Sequence, residues 1–143
     1  MSAAGVLLDT CAVIWLAAGE PMAPMAIEAI LAAGQGEGVL VSSVSAWEIG
    51  LLSRPRPGGR PGLQFSPDPK TWLSRFLAAP GVRSCPLSPE AAIDAAYLPG
   101  EFHADPGDRL LVATARSLGH PIVTRDTKIL AYAQAGWVSA IAC

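Results

Sequence analysis

Val6-Leu7-Leu8-Asp9-Thr10 decides the fold class of this chain, because a short apolar run ends there on a carboxylate. The run from Gly5 to Leu8 is too short and too uniformly apolar for an amphipathic helix, and it predicts a buried strand. Asp9 then stands where that strand leaves the sheet. Ligands of open α/β sheets bind outside the carboxyl ends of the strands, so Asp9 is the first candidate site residue.

Outward from this stretch, the chain alternates short apolar runs with helical patterns. Further strands are predicted at 39–42, 82–85, 121–124 and 137–141. Helices are predicted at 11–17, from 24, at 43–52, from 68 or 69, at 89–98, at 106–118 and at 128–135. This alternation predicts βαβ units with right-handed crossovers, and therefore an α/β fold with a mostly parallel sheet.

Length and composition set the class of molecule. The 143 residues are enough for one domain, 1–143. With 51% hydrophobic and 15% charged residues, we expect a partner or a second copy to cover some apolar surface. Three widely spaced cysteines argue against zinc and are read as free buried thiols. We expect no signal peptide and no transmembrane helix, and hence a cytoplasmic protein.

Charge is distributed unevenly along the chain. Residues 1–53 contain five acids and no Lys or Arg, whereas 54–143 carry all ten basic residues against seven acids. Three of the basic residues, Arg54, Arg56 and Arg60, lie in a stretch whose prolines and glycines exclude regular structure. These arginines could bind the phosphates of a substrate, which makes them candidate RNA-binding residues if that substrate is RNA, and a solvated surface loop is an equally good interpretation.

Four acids follow predicted strands or begin the helices after them: Asp9, Glu48, Asp108 and Asp126. Each has a purely structural alternative. Asp9 and Asp126 could begin helices as N-caps, and Ser45 with Glu48 matches a capping box. Asp105 and Asp108 likewise match the N-cap and third position of a helix that begins at Pro106.

Taken together, the four acids favour a shared site over separate helix caps, because parallel strands bring those positions to one edge of the sheet. Carboxylates 5 Å apart repel by about 3 kcal/mol per pair at an effective dielectric constant near 20. A hard divalent cation, Mg²⁺ or Mn²⁺, is the natural counter-charge. No Ser, Cys or His is placed as an activated nucleophile, so a metal-activated water is the expected attacker of a phosphodiester.

Four segments resemble the motifs of PIN-domain ribonucleases, and are most similar to the VapC-type toxins of bacterial toxin–antitoxin pairs. The segments are LLDTCAVIWL (7–16), SSVSAWEI (42–49), HADPGDRLLVATA (103–115) and IVTRD (122–126). The resemblance implies a three-layer α/β/α sandwich and Mg²⁺- or Mn²⁺-dependent cleavage of RNA. It also implies a homodimer and inhibition by a cognate antitoxin that often binds DNA.

Matched position by position, the acidic quartet of that family falls on Asp9, Glu48, Asp108 and Asp126. Asp9, Asp108 and Asp126 are the expected metal ligands, and the weaker candidates are Asp105, Thr10 and Thr124. Arg109 and Arg125 stand beside site acids, where they could contact phosphate or pair with a carboxylate. His103 is interpreted as structural, and Trp15, Trp47 and Trp72 as core or interface residues.

Two other functions compete with the nuclease. A PIN-like binding module would use the acids to hold a structural metal and would have no nuclease activity. A phosphatase of the haloacid-dehalogenase type also begins with a strand and an Asp, but it needs a second Asp where Cys11 stands.

Overall fold

The structure, a computed structural model, describes residues 4–143. Its five strands are β1 (Val6–Leu8), β2 (Val39–Ser42), β3 (Val82–Cys85), β4 (Ile122–Thr124) and β5 (Ala140–Ala142). Its helices are α1 (Thr10–Ala18), α2 (Pro24–Gly34), α3 (Ser43–Ser53), α4 (Pro69–Leu77), α5 (Pro89–Ala96), α6 (Pro106–Leu118) and α7 (Thr127–Gln134). Residues 1 to 3, where the predicted domain starts, lie outside the described residues.

The five strands form one parallel sheet in the order β3-β2-β1-β4-β5. Strand β1 is central, and Leu8 pairs with Val41 on one side and Val123 on the other. From β1 the chain continues to β2 on one side of it, whereas β4 pairs with β1 on the other side. The strand order therefore reverses between β1 and β4, which makes this a topological switch point. The α/β class and the parallel sheet predicted from the sequence are confirmed.

Apolar residues on the two faces of the sheet form two separate clusters. Val6 and Leu8 contribute to the cluster beneath α1, α2 and α4, whereas Leu7 points into the cluster beneath α5, α6 and α7. This follows from the twofold side-chain period of a strand, which sends neighbours to opposite faces. A central strand covered on both faces is uniformly apolar, and the three-layer α/β/α sandwich is confirmed.

Two predicted element ends differ from the structure by more than one residue. Helix α5 ends at Ala96 and not at Leu98, because Tyr97 leaves helical geometry and its N–H closes on Asp94. Strand β5 begins at Ala140 and not at Trp137, because the N–H groups of Gly136 and Trp137 still bond to carbonyls of α7. Both shifts reflect helix-terminal hydrogen bonds that apolar patterning does not reveal.

The proline- and glycine-rich stretch is more regular than predicted. Pro57–Gly59 forms a short 3-10 turn, and Arg56 and Arg60 form an antiparallel bridge across it.

Within residues 4–143, none of the helices is both long and apolar enough to cross a membrane.

Candidate active site

A cleft of about 280 Å³ opens at the carboxyl edge of the sheet, and all four predicted acids border it. Asp9, Glu48, Asp108 and Asp126 line it together with Thr10, Cys11, Trp15, Leu111 and Arg125. The convergence follows from the strand order, because β1, β2 and β4 are neighbours and the acids follow these strands or begin α6.

Asp9 serves as a helix cap and as a cleft residue at once. Its side chain is the N-cap of α1, with Oδ1 accepting from the Ala12 N–H at 2.7 Å. Oδ2 accepts from the Thr124 hydroxyl at 2.5 Å, and the carboxylate is only 7% exposed. The N-cap alternative is therefore correct without excluding a site role, and Asp9 is held from two sides.

Glu48 does not belong to a capping box. Helix α3 begins at Ser43, and its cap is Ser42, whose hydroxyl accepts from the Val44 N–H at 3.0 Å. Ser45 is buried inside the helix, and Glu48 lies one turn further on. Its Oε1 instead accepts from the Thr10 hydroxyl at 2.5 Å. That structural alternative for Glu48 is wrong, since the carboxylate is directed across to α1.

Asp108 and Asp126 are both positioned by the starts of helices. Asp105 caps α6 by accepting from the Asp108 N–H at 3.0 Å, which leaves the side chain of Asp108 available to the cleft. Asp126 caps α7 through Oδ1, which accepts from the N–H groups of Lys128 and Ile129 at 2.8 and 3.0 Å. Helix N-termini stabilise negative charge, so these acids are tolerated close together.

Burial and mutual repulsion raise the proton affinity of this cleft. Burial is the main cause that raises the pKa of Asp9 and of Glu48, partly offset by the Thr124 and Thr10 hydrogen bonds respectively. Burial, together with the charges of Asp105 and Asp126, raises the pKa of Asp108 to about 6. Carboxylates that resist ionisation in this way are typical of a site completed by a cation.

The donor atoms fit a divalent cation, although the set differs from the predicted one. Ligand atoms of His103, Asp108 and Asp126 lie within 4.8 Å of one another. Asp9 is not among these three residues, and both of its oxygens accept hydrogen bonds. Direct ligation by Asp108 and Asp126 is compatible with this geometry, and ligation by Asp9 stays a prediction.

His103, interpreted from the sequence as structural, lies beside one of the cleft acids in the structure. Its Nε2 lies 3.0 Å from Oδ2 of Asp108, at the rim of the site and not in a core. The signal was its place in the loop that enters α6, two residues before Asp105, but a single histidine in a loop has no characteristic spacing.

The guanidinium of Arg109 is engaged by the backbone of neighbouring segments. Its guanidinium donates to the carbonyl oxygens of Ala95 at 2.8 Å, Phe102 at 3.1 Å and His103 at 3.2 Å. These bonds fasten the end of α5 and the 102–103 loop to α6. Within residues 4–143 the guanidinium forms no ion pair with a carboxylate, and its engagement by carbonyls gives no support to the alternative, a phosphate contact.

The other candidate arginines differ in whether they border the cleft. Arg125 borders the cleft, where its guanidinium lies 4.0 Å from the centre of the Trp15 ring and donates to the Pro21 carbonyl at 2.7 Å. Arg54, Arg56 and Arg60 are exposed and are not among the described residues that line the cleft. Arg125 is thus the arginine best placed to meet a phosphate there.

The tryptophans and cysteines divide in a similar way. Trp72 packs edge-on against Phe65 and contacts the apolar cluster beneath α1, α2 and α4, as predicted for a core residue. Trp47, in contrast, is 53% exposed and is not a core residue. All three thiols are free, but Cys11 is exposed beside the cleft and Cys85 and Cys143 are only half-buried, so the expectation of buried thiols is wrong.

The sheet order, the two helical layers and the acidic cleft define a PIN-type α/β domain. A profile of the PIN domain matches residues 6–135, and the chain belongs to this family. The chain is 31% identical over 124 residues to a protein named ribonuclease VapC22 from Mycobacterium tuberculosis strain ATCC 25618 / H37Rv. That match covers 87% of this chain and 88% of the relative.

Solved structures share the fold of this chain. VapBC2 from Rickettsia felis, bound to a DNA fragment from its promoter, superposes with a TM-score of 0.66 at 13% identity, covering 96% of this chain and 98% of that one. FitAcB from Neisseria gonorrhoeae gives 0.57 at 22% identity, covering 95% and 96%. At these identities the likeness establishes the fold.

Proposed function

We propose that this protein is a metal-dependent endoribonuclease that acts as the toxin of a toxin–antitoxin pair. The observation that carries the proposal is the convergence of Asp9, Glu48, Asp108 and Asp126 on one cleft. Membership of the PIN family and the 31% identity to a protein named as a ribonuclease support the same reaction.

The proposed cation is Mg²⁺ or Mn²⁺, with Asp108 and Asp126 as the best placed carboxylate ligands. When bound, such an ion would supply Lewis-acid polarisation of a phosphodiester and a more acidic water. Asp9 adds fixed negative charge beside this pair, because Ala12 and Thr124 hold its carboxylate.

Two further groups of the cleft have proposed roles toward RNA. Glu48 is oriented by Thr10, and burial raises its pKa, which suits a group that takes up a proton. Arg125 is stacked on Trp15 at the cleft wall and offers a planar cation to a phosphate. The exposed Arg54, Arg56 and Arg60 remain candidates for contacts with a longer RNA, away from the cleft.

Cleavage of RNA by purified variants tests the reaction. Asp9→Asn and Asp108→Asn should each lower the rate of metal-dependent cleavage at least 100-fold while the fold is retained, as measured by circular dichroism. Asp94→Asn is the matched control, since this acid is exposed on α5 outside the cleft, and it should cleave normally. Undiminished cleavage by both cleft variants would refute the proposal.

The partners we propose are a cognate antitoxin protein, itself DNA-binding, and a second copy of this chain. The structural neighbours are toxin–antitoxin complexes, some of them bound to DNA. Large exposed apolar side chains such as Trp47, Leu51 and Tyr97 provide surface for such partners.

Expression in the cytoplasm of a bacterial host tests the cellular role. Growth arrest that the product of the adjacent gene relieves supports the toxin. The competing binding module predicts no arrest, no cleavage and a metal that only raises the melting temperature. A phosphatase is disfavoured, because Cys11 occupies the position of its second Asp.

A further inference from the structure

His103 meets two cleft carboxylates in a way that sequence patterning does not explain. A ring nitrogen of His103, one oxygen of Asp108 and one oxygen of Asp126 lie within 4.8 Å of one another. His103 comes from the loop before α6, Asp108 from the first turn of α6, and Asp126 from the turn between β4 and α7. Three separate segments therefore direct donor atoms toward one small volume.

The close approach of His103 to Asp108 is not a hydrogen bond. Nε2 lies 3.0 Å from Oδ2, yet it is buried from solvent and has no hydrogen-bond partner of acceptable geometry within residues 4–143. Its closest polar neighbour is thus the Asp108 oxygen, at ion-pair distance, and a buried nitrogen that forms no hydrogen bond is costly unless a further group meets it. Two neighbouring ligands of an octahedral ion, each about 2.1 Å from it, stand about 3.0 Å apart.

The His103 ring is held in this position by the protein itself. Arg109, the neighbour of Asp108, donates to the backbone carbonyls of Phe102 at 3.1 Å and His103 at 3.2 Å. The ring also contacts Phe102, with the two ring centres 4.5 Å apart. The imidazole and the Asp108 carboxylate are consequently tied to the same helix start, as preorganised ligands require.

We propose that His103 is a nitrogen ligand of the cation held by Asp108 and Asp126, and that it makes the site prefer Mn²⁺ to Mg²⁺. The inference rests on the cation of the proposed function and adds a ligand and a metal preference to it. Mg²⁺ takes oxygen ligands and keeps its waters, whereas first-row transition ions accept imidazole nitrogen more readily.

The test uses untagged full-length protein and pulsed electron paramagnetic resonance of bound Mn²⁺. The wild type should show ¹⁴N coupling to Mn²⁺, and ¹⁵N-histidine labelling should convert it to ¹⁵N coupling. The chain has two histidines, so His120→Asn is the matched control and should keep the signal, while His103→Asn should lose it. His120 lies at the opposite edge of the sheet, 3.5 Å from Glu37.

Calorimetric titration gives the metal preference. His103→Asn should weaken Mn²⁺ binding at least tenfold and Mg²⁺ binding less than threefold, with His120→Asn unchanged. Mn²⁺ that binds the wild type without nitrogen coupling would overturn the role of His103 and leave the proposed nuclease intact. Absence of Mn²⁺ binding to the wild type would overturn the cation itself, and with it the metal dependence of the proposed function.

Discussion

At the scale of single residues, the cleft depends on two threonine hydroxyls that fix two carboxylates. Thr10 donates to Glu48, and Thr124 donates to Asp9 while accepting from the Asp126 N–H at 2.9 Å. The sequence analysis ranked both threonines as weaker candidates. Through these contacts Thr10 orients the carboxylate of Glu48, and Thr124 orients the carboxylate of Asp9.

Replacing Thr124 by Val tests this role. The change keeps the volume but leaves a buried carboxylate oxygen of Asp9 without its donor, so we expect a loss of about 1 to 3 kcal/mol in the free energy of unfolding. Cleavage should fall as well. Thr114→Val is the control, because that buried hydroxyl only bonds to the Leu110 carbonyl of its own helix. Equal losses in both variants would contradict the proposed role.

The raised pKa of Asp108 predicts a pH dependence of stability in the metal-free protein. At pH values between the ordinary pKa of an aspartate, 3.8, and the raised pKa of about 6, the folded chain binds more protons than the unfolded chain. Stability should therefore rise as the pH falls from 7 to 5, because protonation relieves the burial of charge.

Thermal melting in a chelator between pH 5 and pH 7 measures this effect. Asp108→Asn should be more stable than the wild type at pH 7 by about 1 to 2 kcal/mol, and the difference should shrink toward pH 5. A wild type whose stability falls relative to that variant on acidification would show that the pKa of Asp108 is not raised.

At the scale of elements, α6 organises both the cleft and the loop before it. Its first turn supplies Asp108, its N-cap is Asp105, and Arg109 fastens the 102–103 loop. A Cβ on Gly107 would stand 2.6 Å from Oε2 of Glu48, so the start of α6 passes very close to the acid of α3.

Arg109→Lys tests the link between α6 and the loop. A lysine keeps the charge but cannot bond to Ala95, Phe102 and His103 together, so we expect lower stability by about 1 to 3 kcal/mol and weaker Mn²⁺ binding. Arg75→Lys, an exposed position on α4, should change neither quantity. Unaltered Mn²⁺ affinity in Arg109→Lys would show that the loop held by Arg109 does not contribute to the metal site.

At the scale of the whole molecule, the cation should stabilise the fold that assembles its ligands. A ligand present at 100 times its dissociation constant adds about 2.7 kcal/mol, which for a chain of this length corresponds to roughly 5 to 10 °C in melting temperature. Asp108→Asn should lose the shift, and Asp94→Asn should keep it. An identical shift in Asp108→Asn would indicate that the metal binds elsewhere.

The sequence by itself determined the strand and helix order, the parallel sheet and the edge where the acids gather. These follow from local signals: apolar runs, proline at helix starts, and caps such as Asp9, Asp105 and Asp126 that bond within three residues. Such signals predict the acidic edge, because the carboxyl ends of parallel strands share one side.

Only the tertiary structure decided what each side chain at that edge contacts. Thr124 and Asp9 are 115 residues apart and Thr10 and Glu48 are 38 apart, and they meet because the sheet order places β1 between β2 and β4. The same packing lets Arg109 donate to the carbonyls of the loop before α6 and brings His103 close to Asp108. It also leaves Trp47 exposed. Contacts between distant segments depend on how whole elements pack, which no local pattern encodes.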